Sequence, residues 1–340
     1  MLLCRCDRSV PPLILDKCAK LTGVPRQSVF EAPDVSTIYE VPIEFWQRHI
    51  DDLIADKFHL RRTGCRIHPY RELVEKYTNG HDLPKVTIGI VGKYENCDEA
   101  YLSLREACIH AGVQAEVKVN IKWIKAEDLE QAEDLRSIWR HFTDVDGVIV
   151  PGGFDCRGVE GKQNATRYCR EKKIPFLGIC LGMQVAVIEF SQNVLGLEGA
   201  NSEEFDKNTP HPVIHYVNGQ HDGMNKSGTM RLGAYDCVLA KDSLVRQLYG
   251  KKRVSERHRH RYEVNNIYKE RFEQAGLLVV GENPDSNLIE MIELKQDLHP
   301  YFVATQAHPE FKSRLGEPAP LFYGLVKAAA GREKKDVETK

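Results

Sequence analysis

The stretch Phe176-Leu177-Gly178-Ile179-Cys180-Leu181-Gly182-Met183-Gln184 predicts the surrounding fold more strongly than any other segment. An apolar run typical of a buried strand leads to a single cysteine, and Leu181 then opens a helical pattern. A cysteine at such a junction faces the N-terminus of a helix, where the dipole and the free N–H groups favour a thiolate. The G-x-C-x-G spacing is that of a nucleophile elbow with a thiol in place of the hydroxyl. Cys180 is therefore the predicted nucleophile.

A second segment, Gln306-Ala307-His308-Pro309-Glu310, follows a strand-like run and supplies the partners that such a cysteine needs. A thiol nucleophile requires a base, commonly a histidine distant in sequence. His308 is the predicted general acid and base, and Glu310 is placed to orient its imidazole. Of the thirteen histidines, only His308 precedes Pro-Glu, and no catalytic role is assigned to His258 or His260.

The amino-acid composition excludes several classes of function for this chain. The 340 residues are 42% hydrophobic, enough for one large core or two ordinary ones. A net charge of −2 provides no overall field to attract nucleic acid or an anionic membrane. The ten cysteines form no C-x-x-C pair, so we expect mostly buried thiols, no metal site and a cytoplasmic protein. No apolar run approaches the roughly 18 residues that a membrane helix needs.

Short apolar strands alternate with helical patterns from residue 85 onward, which predicts an α/β domain with a mostly parallel sheet covered on both faces. The expected strands cover residues 86–92, 116–124, 146–150 and 175–179, and the expected helices cover 98–112, 161–173, 181–194 and 319–330. Residues 213–306 are typical of antiparallel strands at the edge of that sheet. Residues 332–340 are predicted to be a disordered tail.

The N-terminal part has a different pattern. It opens on a strand over residues 2–6, followed by a helix over 12–21, a short strand at 28–30 and a helix over 42–58. A polar connector then extends from 59 to 83. The predicted organisation is a small unit over 1–58, a linker over 59–83 and a large domain over 84–331.

Four further segments carry a resemblance to a known family: Pro151-Gly152-Gly153-Phe154, Asn201-Ser202-Glu203-Glu204-Phe205, Gly228-Thr229-Met230-Arg231-Leu232-Gly233 and Arg257-His258-Arg259-His260-Arg261-Tyr262-Glu263. With the elbow, the first is similar to the class I glutamine amidotransferases, and the last three resemble the CTP synthases. The resemblance spans roughly residues 84 to 330. It implies a three-layer, flavodoxin-like glutaminase domain, and it implies that residues 1–58 are the C-terminal remnant of a P-loop-like synthetase domain, most of which is missing.

The predicted chemistry is hydrolysis of the side-chain amide of L-glutamine. The tetrahedral intermediate would carry negative charge on oxygen and needs fixed donors. Gly153, with Gly152 as the adjacent possibility, and the Leu181 N–H are the expected oxyanion hole. Pro-Gly-Gly is also a tight turn in its own right.

The resemblance implies which residues hold the rest of the substrate. The α-carboxylate is assigned to Arg261, since its guanidinium can bind a carboxylate through two hydrogen bonds. The α-ammonium is assigned to Glu204, with the adjacent Glu203 as the less favoured register. The other expected contacts are Gln184, Gly153, the Tyr262 backbone and Phe154.

For nucleotides, the resemblance implies ATP and Mg²⁺ in the synthetase half and GTP as an allosteric activator acting at a lid over residues 217–230. No covalently bound cofactor is expected. The sequence contains no G-x-x-x-x-G-K-[ST] phosphate loop, and only Lys17 falls where the family has a nucleotide-facing lysine. Asp155 and Ala307 depart from the family pattern, replacing a glycine and a bulky aromatic, so reduced glutaminase activity is expected.

Three alternatives stay open at this stage. One is another class I amidotransferase or a γ-glutamyl hydrolase, which would share the elbow and triad. Another is a regulatory paralogue that associates with full-length CTP synthase and lacks synthesis. The third interprets residues 257–261 as a basic patch that binds nucleic acid. The near-neutral charge of the chain and the lack of aromatic residues between these basic ones disfavour this interpretation. Either main hypothesis predicts a homo-oligomer or association with the full-length enzyme.

Overall fold

The fold is described from a computed structural model that covers residues 1–62, 67–93, 98–130, 135–153, 156–216 and 230–332. Within it the chain forms two compact units, Met1–His81 and Asp82–Lys340. No helix among these residues is long and apolar enough to cross a membrane. The predicted tail over 332–340 lies outside the described residues from 333 onward.

The first unit is built on two parallel strands, with Leu2 of one paired to Val29 of the other. Leu15, Ala19 and Val29 are buried at its centre. Its elements are β1 Leu2–Cys6, α1 Pro12–Thr22, β2 Val29–Pro33, α2 Val41–Gln47, α3 Ile50–Lys57 and α4 Ile67–Asn79.

Two features of this unit differ from the sequence prediction. The single helix expected over 42–58 is wrong, because His49 adopts a left-handed conformation (φ 56°) that separates α2 from α3. The connector predicted over 59–83 contains the helix α4, which buries Ile67 and Val74. The sequence prediction therefore overlooked the amphipathic face of α4, whose buried residues stand among polar ones. The boundaries proposed for the linker stay a prediction.

The second unit is an α/β domain. Its elements are β3 Lys85–Gly92, α5 Leu102–Ala115, β4 Lys118–Lys125, α6 Leu135–Trp139, β5 Gly147–Val150, α7 Val159–Lys172, β6 Phe176–Ile179, α8 Leu181–Asn193, β7 Ala200–Ser202, β8 His211–Tyr216, β9 Arg231–Leu239, α9 Leu244–Tyr249, β10 Arg253–His260, β11 Tyr262–Val264, α10 Lys269–Gln274, β12 Leu277–Glu282, β13 Ile289–Leu294, β14 Phe302–Thr305 and α11 Pro320–Ala330.

Nine of these strands form one sheet in the order β10-β9-β12-β13-β14-β6-β5-β3-β4. The five strands from β14 to β4 are parallel. The strands on the other side of β14 are antiparallel, as the pattern over 213–306 predicted. The parallel half is thus the part of the sheet that the α/β alternation encodes.

Helices cover both faces of this sheet, which confirms the three-layer architecture. Val148 and Phe176 point to one face and pack in the core that contains residues of α7 and α8. Ile149 and Leu177 point to the other face and pack with residues of α5 and α11. Because side chains alternate along a strand, continuous apolar runs supply both cores at once.

The arrangement of the parallel strands brings the sequence motifs together. The carboxyl ends of neighbouring parallel strands lie at one edge of a sheet. Pro151 follows β5, Cys180 follows β6, and the segment with His308 follows β14. Since β6 lies between β5 and β14, the thiol emerges between the glycine turn and the histidine.

Candidate functional site

Cys180 occupies a strained turn between β6 and α8. Its φ of 54° and ψ of −107° are unusual for a residue with a side chain, and its N–H donates to the Thr305 carbonyl at 2.7 Å. The flanking glycines are required by close packing. A Cβ on Gly178 would lie 2.8 Å from the Gly182 carbonyl oxygen, and one on Gly182 would lie 1.9 Å from that of Val150. The geometry is that of a nucleophile elbow.

His308 lies between Cys180 and Glu310. Its Nδ1 is 2.8 Å from Glu310 Oε1, and its imidazole also hydrogen-bonds the Cys180 thiol. Burial disfavours the imidazolium, but the hydrogen bonds and charges of Cys180 and Glu310 outweigh it and raise the pKa of His308 to about 10. The three residues therefore form a connected triad in which the histidine readily holds a proton.

The ring of His308 is packed on both sides. Phe311 stacks on it with a centroid separation of 5.3 Å. A Cβ on Gly152 would lie 2.9 Å from its Cε1, so only glycine fits at that position. Ala307 is buried, and Phe311 supplies an aromatic contact to the imidazole where Ala307 lacks one. Asp155, the other departure, lies outside the described residues.

A cleft opens beside the thiol. The structure brings six residues predicted for the oxyanion hole and the substrate to its wall, whereas Gly152, the adjacent possibility for the oxyanion hole, packs against His308 instead. The six are Gly153, Leu181, Gln184, Glu204, Arg261 and Tyr262, and Cys180 itself and His260 line the cleft with them. Phe154 lies outside the described residues. The cleft thus brings the Cys180 thiol together with a cation, Arg261, and a carboxylate, Glu204.

The two adjacent glutamates occupy different environments. Glu203 accepts a hydrogen bond from the Tyr216 N–H at 2.8 Å and so ties two chain segments together. Glu204 lines the cleft instead. The register preferred from the sequence therefore agrees with the placement of Glu204.

Sequence reasoning missed two residues of this site. His260 lines the cleft and is buried, and its burial, with the nearby charges of His258 and Arg231, lowers its pKa well below the ordinary value. Gln306 is fully buried and its Nε2 lies 3.7 Å from Cys180 Sγ. The sequence offered one signal for His260, its position directly before Arg261. For Gln306 the only signal was its closeness to His308 in the sequence.

A buried charged cluster lies next to His260. Arg231 contacts Glu263 at 2.8 Å and Glu290 at 2.7 Å, and His258 Nδ1 lies 2.9 Å from His260 Nε2. Burial raises the pKa of Glu263 to about 8 despite its contact with Arg231. Burial also lowers the pKa of His258 to about 3, which favours the uncharged form of its imidazole. The cluster fixes the end of β10 that leads to Arg261.

Little in the described structure corresponds to the nucleotide sites predicted from the sequence. Lys17 is exposed on α1 of the first unit and is not a residue of this cleft. Residues 217–229 of the predicted lid lie outside the described part of the chain. Within the described ranges, no group of three or more His, Cys, Asp or Glu side chains is arranged to hold a metal ion.

Comparison with known families agrees with this geometry. Residues 97–328 match the profile "Glutamine amidotransferase class-I", and residues 1–60 match "CTP synthase N-terminus". The chain belongs to the class I glutamine amidotransferase family, within the CTP synthase group. Because the first of these matches covers more than half of the chain, the family rests on most of the second unit and not on isolated motifs.

Individual relatives support the same placement. A CTP synthase of Methanocaldococcus jannaschii is 49% identical over 98% of this chain, and one of Methanococcus maripaludis is 48% identical over 97%. The chain spans 62% and 61% of their respective lengths. Among solved structures, the glutaminase domain of Trypanosoma brucei CTPS with bound acivicin is 38% identical, with a TM-score of 0.67, over 73% of this chain and 95% of that domain.

Proposed function

We propose that this chain hydrolyses L-glutamine to glutamate and ammonia, as the glutaminase part of a CTP synthase. The observation that carries the proposal is the joined set of Cys180, His308 and Glu310, whose thiol lines a cleft that also contains Arg261 and Glu204. A thiol triad beside a cation and a carboxylate suits a substrate with an amide at one end and an amino acid at the other. This set favours a catalytic domain over the regulatory alternative.

The first half of the reaction begins with proton transfer from Cys180 to His308. The thiolate attacks the side-chain carbonyl carbon of glutamine, and the C=O electron pair moves to oxygen. The N–H groups of Gly153 and Leu181 would stabilise that oxyanion. The intermediate collapses, His308 gives its proton to the leaving nitrogen, and ammonia departs from a γ-glutamyl thioester.

The second half regenerates the thiol. His308, now neutral, takes a proton from water as the water oxygen attacks the thioester carbonyl. The C–S bond breaks, glutamate leaves, and the proton held by His308 returns to sulfur. Glu310 stabilises each imidazolium stage through its 2.8 Å contact with Nδ1.

Substrate recognition follows from the charges on the wall of the cleft. Arg261 would bind the α-carboxylate through two parallel hydrogen bonds, and Glu204 would bind the α-ammonium. Gln184 is held by its 2.9 Å donation to the Tyr262 carbonyl, so it braces the wall beside the amino-acid end. Phe154 stays a proposed contact.

In the complete protein, we assign the ammonia to the ATP-dependent amination of UTP, giving CTP. ATP and Mg²⁺ would act in the synthetase half, for which the residues present here supply no phosphate loop. GTP would activate hydrolysis through the segment 217–230, and the chain would act as a homo-oligomer or with a full-length CTP synthase. We place this reaction in the cytoplasm, away from nucleic acid and membranes.

The test is glutamine-dependent ammonia release by the purified chain, with and without GTP. We expect release that Cys180→Ala abolishes. Cys169→Ala is the matched control, since Cys169 is also buried but is not a residue of the cleft. Equal release by the two variants would overturn the assignment of the nucleophile, and release by neither the wild type nor the control would overturn hydrolysis by this chain.

A further inference from the structure

Gln306 is a fully buried amide in direct contact with the reactive sulfur. Its side chain is 0% exposed, and its Nε2 lies 3.7 Å from Cys180 Sγ. Its backbone N–H donates to the Glu290 carbonyl at 2.8 Å, which fixes the position of the residue at the end of β14. A buried amide without good partners would be costly, so these contacts decide how it is oriented.

A second glutamine fixes which end of that amide faces sulfur. Gln184 Nε2 donates to the Tyr262 carbonyl at 2.9 Å and to Gln306 Oε1 at 3.2 Å. Because an amide oxygen can only accept, the Oε1 of Gln306 must face Gln184, and its NH₂ group must face the thiol. The orientation is therefore determined by the hydrogen-bond network and not by the sulfur contact alone.

The other groups around the sulfur differ in their effect on its charge. The Arg259 carbonyl, 3.9 Å from Sγ, is an acceptor and favours the protonated thiol. His308 hydrogen-bonds the sulfur but must release it when it delivers its proton to the leaving nitrogen. Lys162 lies near enough to interact electrostatically with Cys180, but its Nζ donates to the Pro151 carbonyl at 3.0 Å. Gln306 is thus a fixed, uncharged donor aimed at sulfur throughout the cycle.

We propose that Gln306 is a catalytic residue whose amide N–H stabilises the Cys180 thiolate, and that the chain Gln306–Gln184–Tyr262 holds this donor in register with the substrate cleft. The proposal rests on the proposed function insofar as Cys180 is the nucleophile. A donor to an anionic sulfur lowers the free energy of the attacking state and of the thiolate that leaves when the thioester is hydrolysed.

Two variants separate this role from simple packing. Gln306→Met keeps the volume and removes the donor, while Gln306→Glu keeps the acceptor for Gln184 and places a carboxylate against sulfur. Gln192→Met is the matched control, because Gln192 lies on the same helix as Gln184 and donates to the Ala200 carbonyl at 2.7 Å, away from the cleft. Thermal unfolding of each variant reports its packing cost.

The readout is the rate at which iodoacetamide alkylates Cys180, followed by mass spectrometry of the peptide that contains it, between pH 5 and 9. Such rates report the thiolate and do not require glutamine hydrolysis. We expect alkylation at neutral pH to slow by about tenfold in Gln306→Met and by more in Gln306→Glu, with the profile moved to higher pH and the control unchanged. Wild-type rates in both variants, or an equal slowing in the control, would overturn the proposal.

Discussion

Replacing Glu310 by glutamine separates the charge of the triad from its hydrogen bond. The amide can still accept from His308 Nδ1 through its oxygen, at the position where Glu310 Oε1 now lies 2.8 Å away. What is lost is the negative charge beside an imidazole whose pKa is raised to about 10 by its hydrogen bonds and charges with Cys180 and Glu310, against the effect of burial. We therefore expect the pKa of His308 to fall in Glu310→Gln.

The size of the effect follows from the kind of hydrogen bond that changes. A hydrogen bond to a charged group contributes roughly 1.5–3 kcal/mol and a neutral one roughly 0.5–1.5 kcal/mol. The difference of about 1–2 kcal/mol corresponds to a fall in kcat of about 5- to 30-fold. KM for glutamine should change little, since Glu310 is not among the residues that line the cleft.

Two assays check this prediction. One is steady-state ammonia release at saturating glutamine, with the exposed Glu317→Gln as control. The other is an NMR titration of the His308 imidazole, which reports its protonation directly. A kcat within twofold of wild type, together with an unchanged titration of His308, would refute the role given to the Glu310 carboxylate.

The remaining predictions concern packing, charge, substrate affinity and pH. Gly182→Ala places a Cβ 1.9 Å from the Val150 carbonyl oxygen, so we expect a lower Tm and lost elbow geometry, measured by calorimetry and by Cys180 alkylation. Arg231→Met removes the cation that contacts the buried Glu263 and Glu290 and should cost about 1–3 kcal/mol in urea unfolding, against less than about 1 kcal/mol for the exposed Arg253→Met. Glu204→Gln should raise KM for glutamine roughly tenfold with little change in kcat, whereas Glu198→Gln should not. Because the pKa of His308 is raised from 6.5 to about 10, its contribution to stability is full below pH 6.5 and lost as pH rises to 10; unfolding of wild type and His308→Gln across this range should converge at high pH.

Much of the parallel half of the fold could be predicted because its sequence is locally consistent. Strands buried on both faces are continuous apolar runs, and the helices between them have clear starts and stops. The break between α2 and α3 could not be found this way. His49 takes a left-handed conformation without a glycine or proline to signal it, and tertiary packing decides such a position.

The residues of the candidate site also fall into two groups, those that the sequence predicts and those that only the fold brings together. Cys180 and His308 lie in motifs whose spacing follows from the geometry that a nucleophile and its base need, so the sequence alone predicts both as site residues. Gln306 and His260 are brought to the site by the fold, since Gln306 contacts Cys180 across 126 positions of the chain and His260 lines the same cleft as Gly153 and Cys180. Only the folded sheet shows that the amide beside His308 faces the sulfur and that the imidazole before Arg261 faces the cleft.

The central claim is that Cys180 forms a covalent bond with glutamine, and trapping that bond tests it most directly. The chain would be mixed with glutamine, quenched in acid during turnover, digested and examined by mass spectrometry. We predict a γ-glutamyl group on the peptide that contains Cys180, absent from Cys180→Ala and from samples without glutamine. Continued glutamine hydrolysis by Cys180→Ala would contradict the account.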